Sequence, residues 1–165
     1  MARCAIGLGS NLGDSQTVLL SALDRLNAAD TRVTARSHLY QTAPIGPAQP
    51  DFLNCCACLQ TRLPPAQLLQ RLLDIEAQFG RIRRERWGPR TLDIDLLLYE
   101  SQVLETPALT LPHPRLHERA FVLVPLSEIA PNWQHPRLHQ SVAALAERCD
   151  RSGVRRLPAV SYQLL

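Results

Sequence analysis

Apolar residues along this chain switch between two periods. From Arg3 to Gly9 they alternate, at Cys4, Ile6 and Leu8, and a period of two predicts a strand. Leu19, Ala22, Leu23 and Leu26 recur at helical spacing, which predicts an amphipathic helix over roughly 15–29. Asp14 or Ser15 can cap it. Alternation at Val33, Ala35, Ser37 and Leu39 predicts a second strand over Thr31–Tyr40. Leu53, Cys55, Ala57 and Leu59 share one face of a third, Phe52–Leu63. The intervening Gln41–Pro50 holds three prolines and a glycine and reads as an irregular loop.

Pro64-Pro65 opens a second helix whose apolar stripe is Leu68, Leu69, Leu72, Ile75 and Phe79, and Gly80 suits its end. Glu76 stands on that stripe, where a carboxylate is costly unless paired. It can bond one of the arginines that follow, or a bound ligand. Asp93–Tyr99 reads as a further strand, and Leu111-Pro112-His113-Pro114 as a stiff loop. Phe121–Leu126 is short, apolar and broken by Pro125, and 126–140 is expected to be irregular. Ser141–Cys149 predicts a short helix and Val154–Leu165 a final strand. Strand, helix, strand, strand, helix, strand fits an α+β, ferredoxin-like antiparallel sheet sandwiched by helices. The length predicts a single domain over 1–165.

Composition narrows the function. Apolar residues make up 45% of the chain, ample for one core, and no apolar run is long enough to span a bilayer. Met1-Ala2-Arg3-Cys4 runs straight into the first strand without a signal-peptide apolar region, so a cytoplasmic monomer is expected. The cysteines Cys4, Cys55, Cys56, Cys58 and Cys149 lack a partner pair at zinc-site spacing and read as reduced core thiols. A net charge of +3 is too small for a protein that coats nucleic acid. All 18 basic residues are Arg, which excludes a P-loop lysine and every lysine-nucleophile mechanism. Phosphate chemistry here must rest on Arg and metal.

The chemistry concentrates in Gly80–Tyr99. Arg81, Arg83, Arg84, Arg86 and Arg90 precede Asp93 and Asp95. On a strand those two carboxylates face the same way, about 7 Å apart. Such hard oxygens suit Mg²⁺, and a two-ion site can clamp both oxygens of a phosphoryl displacement. Arginine forks match phosphate oxygens, Gly88-Pro89 put them on a loop, and Trp87 can stack. Solvated strand-end aspartates and a solvated basic face are the bland alternative, and the combination within so few residues favours a nucleotide–metal site. The Gly9–Asp14 loop is either a plain turn or a phosphate cradle. Asn54 is either a satisfied core amide or a reader of an amide-like heterocycle edge, and spacing alone favours the core.

Arg86-Trp87-Gly88-Pro89-Arg90-Thr91-Leu92-Asp93-Ile94-Asp95-Leu96-Leu97 resembles the signature of the 6-hydroxymethyl-7,8-dihydropterin pyrophosphokinases of folate biosynthesis. Gly9-Ser10-Asn11-Leu12, Tyr40-Gln41-Thr42-Ala43-Pro44, Pro50-Asp51-Phe52-Leu53-Asn54, Pro112-His113, Arg119, Phe121 and Ile129-Ala130-Pro131 match in order. The resemblance implies the ferredoxin-like fold and diphosphoryl transfer from ATP to the pterin hydroxymethyl, leaving AMP. It implies that Asp93 and Asp95 hold two Mg²⁺ ions and that Arg81 and Arg90 close on the phosphates. Thr42, Pro44, Ile45, Phe52, Asn54, Trp87 and Phe121 are implied as the pterin pocket. Glu76, Arg83, Trp87, Ile94, Thr110, His113 and Arg119, with Arg81 and Arg90, are implied as ATP contacts. Ala43, Phe52, Ala108 and a shortened arginine loop at Arg84-Glu85 depart from some relatives, which bears on affinity rather than on the reaction.

Two rivals are weaker. A metal nuclease calls for a broad basic surface, which the low net charge argues against. An RNA-binding module of similar fold exposes aromatics on its central strands, whereas these strands carry Cys, Ala and Leu. The expected partners are therefore ATP and the dihydropterin, with no nucleic acid and no membrane.

Overall fold

The computed structural model describes residues 1–44, 46–80 and 91–159. A sheet of β1 (Ala2–Ser10), β2 (Thr31–Arg36), β3 (Tyr40–Thr42), β4 (Phe52–Thr61), β5 (Asp93–Tyr99) and β8 (Val154–Arg156) is its frame. The order is β5-β1-β4-β3-β8, with β2 beside β3 on the same edge of β4, and every pairing is antiparallel. The helices are α1 (Ser15–Leu26), α2 (Pro65–Gln78), α3 (Ala120–Ile129) and α4 (Val142–Arg148). A small separate hairpin pairs β6 (Leu104–Glu105) with β7 (Thr110–Leu111).

Strand alternation divides the core in two. Cys4, Ile6 and Leu8 of β1, with Cys55, Ala57 and Leu59 of β4, pack under α1 and α2. Ala5, Cys56 and Cys58 face the other way, against α3 and α4. Both faces of β1 and β4 are covered, so these strands carry apolar residues almost without interruption. Between Ala5 and Ile6 the β1–β5 register slips by one residue, leaving Leu97 extra. That bulge puts Leu97 and Leu98 together on the α3 face.

The periodic elements form where the sequence predicts them. Asp14 caps α1, accepting from the Thr17 N–H at 3.2 Å, and Gly80 takes a positive φ of 72° just after α2. Other segments differ. Thr31–Tyr40 is two strands, because the chain advances four residues from Arg36 to Tyr40 while β4 advances three, from Ala57 to Asn54. Phe121–Leu126 lies inside a helix: Pro125 costs one backbone hydrogen bond, and burial of Val122, Leu123 and Leu126 outweighs it. Helix therefore continues to Ile129, and only the stretch after it is irregular. The final strand spans Val154–Arg156 among the described residues. All five cysteines are free, four of them buried. Among the described residues no helix is long and apolar enough to cross a membrane.

Candidate functional site

A cavity of about 490 Å³ opens on the α3 face of the sheet. Its floor is set by strand register. Gly9 lies between Asp93 on one neighbour and Asn54 on the other, and Gly7 lies between Asp95 and Cys56. All six residues share one face, and the two glycines leave the space above the floor empty. A Cβ on Gly9 would stand 2.7 Å from Asn54 Oδ1, so glycine is required there for the amide to keep its place.

The wall beyond β1 is polar and aromatic. Asn54 is 7% exposed and its Nδ2 donates to Thr42 Oγ1 at 2.6 Å. Both residues line the cavity, as do Phe52 and Phe121 of α3. Arg119, the residue before α3, also lines it. Its guanidinium stands 3.8 Å from Asp95 Oδ2 and 5.5 Å from the Phe121 ring. Cys56 in the floor is a protonated thiol, pushed well above the ordinary range by burial and then by neighbouring Cys55, Cys58 and Asp95.

Asp93, Asp95, Thr42, Phe52, Asn54, Phe121 and Arg119 therefore meet around one space. Other predicted residues stand apart. Ile94 alternates with the aspartates, so its side chain is in the α1–α2 core. Glu76, 3% exposed, reaches from α2 to accept the Ile94 N–H at 2.8 Å. Pro44, Thr110 and His113 do not line the cavity. The His113 N–H donates to the Leu97 carbonyl at 2.9 Å, fixing the loop to β5. Its Nδ1 accepts the Arg115 N–H at 3.1 Å, so the ring proton sits on Nε2. Burial, then Arg119 and Arg115, lower its pKa to about 4, and the ring is neutral at physiological pH. Ile45, Arg81, Arg83, Trp87 and Arg90 lie outside the described residues.

The wall also contains residues that sequence reasoning missed. Glu118 ends a 3-10 turn, Leu116–Glu118, and Arg115 immediately precedes it; the two pair at 3.5 Å. Cys149 and Asp150 come from the end of α4. Only contacts distant along the chain bring them in. The Gly7-x-Gly9 alternation on a strand was the one local signal, since two glycines on one strand face mark a gap above it.

The chemistry of this space has an aromatic pair, a buried amide with a hydroxyl, and two carboxylates beside an arginine. The family model of 7,8-dihydro-6-hydroxymethylpterin-pyrophosphokinase matches residues 5–131. A 2-amino-4-hydroxy-6-hydroxymethyldihydropteridine pyrophosphokinase from Synechocystis is 47% identical over 150 residues, covering 90% of this chain and 77% of that protein. The Pseudomonas aeruginosa protein of the same name is 44% identical over 158 residues, covering 94% and 97%. Among solved structures, the Plasmodium falciparum HPPK-DHPS has a similar fold, with a TM-score of 0.71 at 14% identity. The alignment covers 94% of this chain and 47% of that one, so the chain spans less than half the length of that protein. With the match running from β1 through β4 and β5 to the end of α3, this chain belongs to the 7,8-dihydro-6-hydroxymethylpterin-pyrophosphokinase family.

Proposed function

We propose that the cavity holds the dihydropterin between Phe52 and Phe121, with its hydroxymethyl group toward Asp93 and Asp95. The chain is an ATP-dependent pterin pyrophosphokinase. It transfers a diphosphoryl group from ATP to 6-hydroxymethyl-7,8-dihydropterin in folate biosynthesis, giving AMP and the pterin diphosphate. The observation that carries the site reading is that an aromatic, amide-bearing pocket and a carboxylate pair share one cavity.

The parts divide the work. The two rings stack on the pterin, and Asn54, held by Thr42, reads its edge. Pro44, Ile45 and Trp87 complete that pocket in our reading. Glu76, Arg81, Arg83, Trp87, Arg90, Ile94, Thr110, His113 and Arg119 serve ATP, the neutral His113 as an Nε2–H donor and the arginines as phosphate forks. The alcohol oxygen bonds to the β-phosphorus, the bond to the α-phosphate oxygen breaks, and AMP leaves with that electron pair. Asp95 or a water it holds takes the hydroxyl proton. Positioning and charge neutralisation supply most of the rate in such transfers.

Asp93 and Asp95 also fit magnesium: two hard-oxygen donors on one strand face, both opening on the cavity. Two ions bound there would neutralise and orient the phosphates. The order β5-β1-β4-β2, antiparallel throughout, with α1 and α2 on one face, supports a ferredoxin-like assignment. We read residues 1–165 as one domain, acting as a cytoplasmic monomer. Incubation with ATP, Mg²⁺ and the dihydropterin should yield AMP and pterin diphosphate on chromatography, and chelation should stop it. Formation of ADP, or of orthophosphate without pterin modification, overturns the reading.

A further inference from the structure

The pocket wall does not end with the family match. That match stops at residue 131, yet Cys149 and Asp150 line the cavity. The strand that follows them is fixed by pairing: β8 lies on β3, with Val154 opposite Thr42, and the exposed Asp150 stands in the segment leading into it. The Asp150 Oδ1 accepts the Ser152 N–H at 3.0 Å, which shapes that segment. Across the sheet, β5 with Asp93 and Asp95 is at one edge and β8 is at the other, with β1, β4 and β3 between.

The substrate has the matching polarity. In a pterin the 2-amino group and the 6-hydroxymethyl group stand at opposite ends of the bicycle. With the hydroxymethyl toward Asp93 and Asp95, the 2-amino edge points to β3 and the turn before β8. That edge is made of N–H donors, and a carboxylate is an acceptor with lone pairs on both oxygens. Resting on the orientation given above, we propose that Asp150 is a specificity-determining residue of the pterin subsite, its carboxylate accepting from the 2-amino edge. Ser152, donating mainly through its backbone N–H, holds the carboxyl below the usual range, so it is ionised at neutral pH. Hydrogen bonds to an ionised acceptor are stronger than neutral ones.

Calorimetric titration of the full chain with the dihydropterin, at saturating non-hydrolysable ATP analogue and Mg²⁺, tests this. Asp150→Ala should raise the pterin Kd about tenfold, as expected for losing a charged hydrogen bond. Affinity for the analogue should be unchanged. Asp150→Asn keeps an acceptor for the Ser152 N–H but loses the charge, and it should stay several-fold weaker than wild type. A pterin lacking the 2-amino group should bind wild type and Asp150→Ala equally. Wild-type pterin affinity in either variant overturns the proposal, as does an equal loss for the deaminated ligand. Failure of the wild-type chain to bind the dihydropterin at all removes instead the functional reading beneath it.

Discussion

Replacing Gly9 by alanine is the sharpest test of the pocket floor. The new Cβ would lie 2.7 Å from Asn54 Oδ1 and 3.8 Å from Phe52 Cδ1. The first distance is too short for an unmoved neighbour, and Asn54 is on a central strand, held to Thr42. Either the amide swings or the β1–β4 pairing spreads. Overpacking of this kind costs about 1–3 kcal/mol of stability. If the amide swings, the pterin loses one neutral hydrogen bond, about 0.5–1.5 kcal/mol or two- to twelve-fold in Kd. Gly7→Ala is the control: its Cβ would meet only Leu97, at 3.6 Å, an ordinary contact. It should be neutral in stability, or stabilising by up to about 1 kcal/mol through the unfolded chain. Urea melts give the stability term and calorimetric titration the affinity. Equal behaviour of the two variants in both assays would refute the argument.

Asp95→Ala should nearly abolish turnover while leaving pterin affinity close to wild type, because it removes a phosphate-side carboxylate and none of the groups that stack on the pterin or read its edge; wild-type rates with Mg²⁺ would sink the assignment. Phe121→Ala should weaken pterin binding by about 1–3 kcal/mol, by analogy with base–aromatic stacking, and unchanged affinity in titration refutes the sandwich. The pKa of His113 falls from 6.5 to about 4 on folding, so between those values the unfolded chain binds more protons. Its contribution to stability is complete above the upper value and is lost as pH falls toward the lower. Urea midpoints measured across that window should drop with acid, and His113→Asn, which keeps an acceptor for the Arg115 N–H, should flatten the slope.

Local periodicity was enough for β1, β4, β5, α1 and α2, since each has one consistent period and a clear boundary. It failed at α3, where Phe121-Val122-Leu123-Val124-Pro125-Leu126 is apolar all round and presents no period to read. The proline then pointed the wrong way, because tertiary burial decided the outcome. The hairpin of β6 and β7, two residues a strand, is too short to carry alternation. At the site, parity alone put Asp93 and Asp95 on one face. Parity also put Asn54 opposite Leu53 and Cys55, yet it did not reveal an open space there. That space depends on Gly7 and Gly9 lying beside β4 and on Arg119 and Phe121 arriving from far along the chain. Asn54 is thus both a bonded, buried amide and a wall of the cavity, so the two readings of it were never exclusive.

Glu76 shows how an anomaly in the sequence becomes part of the site. A carboxylate on the apolar stripe of α2 is costly, and it is retained where it meets a donor. Among the described residues β5 is an edge strand, paired only with β1, and half the backbone groups along such an edge have no strand partner. One of these is the N–H of Ile94, and Glu76 accepts it. A hydrogen bond of this kind contributes about 0.5–1.5 kcal/mol net, which offsets part of the burial. The bond falls between the two aspartates. It holds Ile94 into the core below, and alternation then presents Asp93 and Asp95 above. Arg119 stands 3.8 Å from Asp95 as a nearby cation. Between Glu76 and Asp93 the chain also carries five arginines. The edge clamp and the presentation of the aspartates are then one device: the bond that holds Ile94 into the core turns Asp93 and Asp95 toward the cavity.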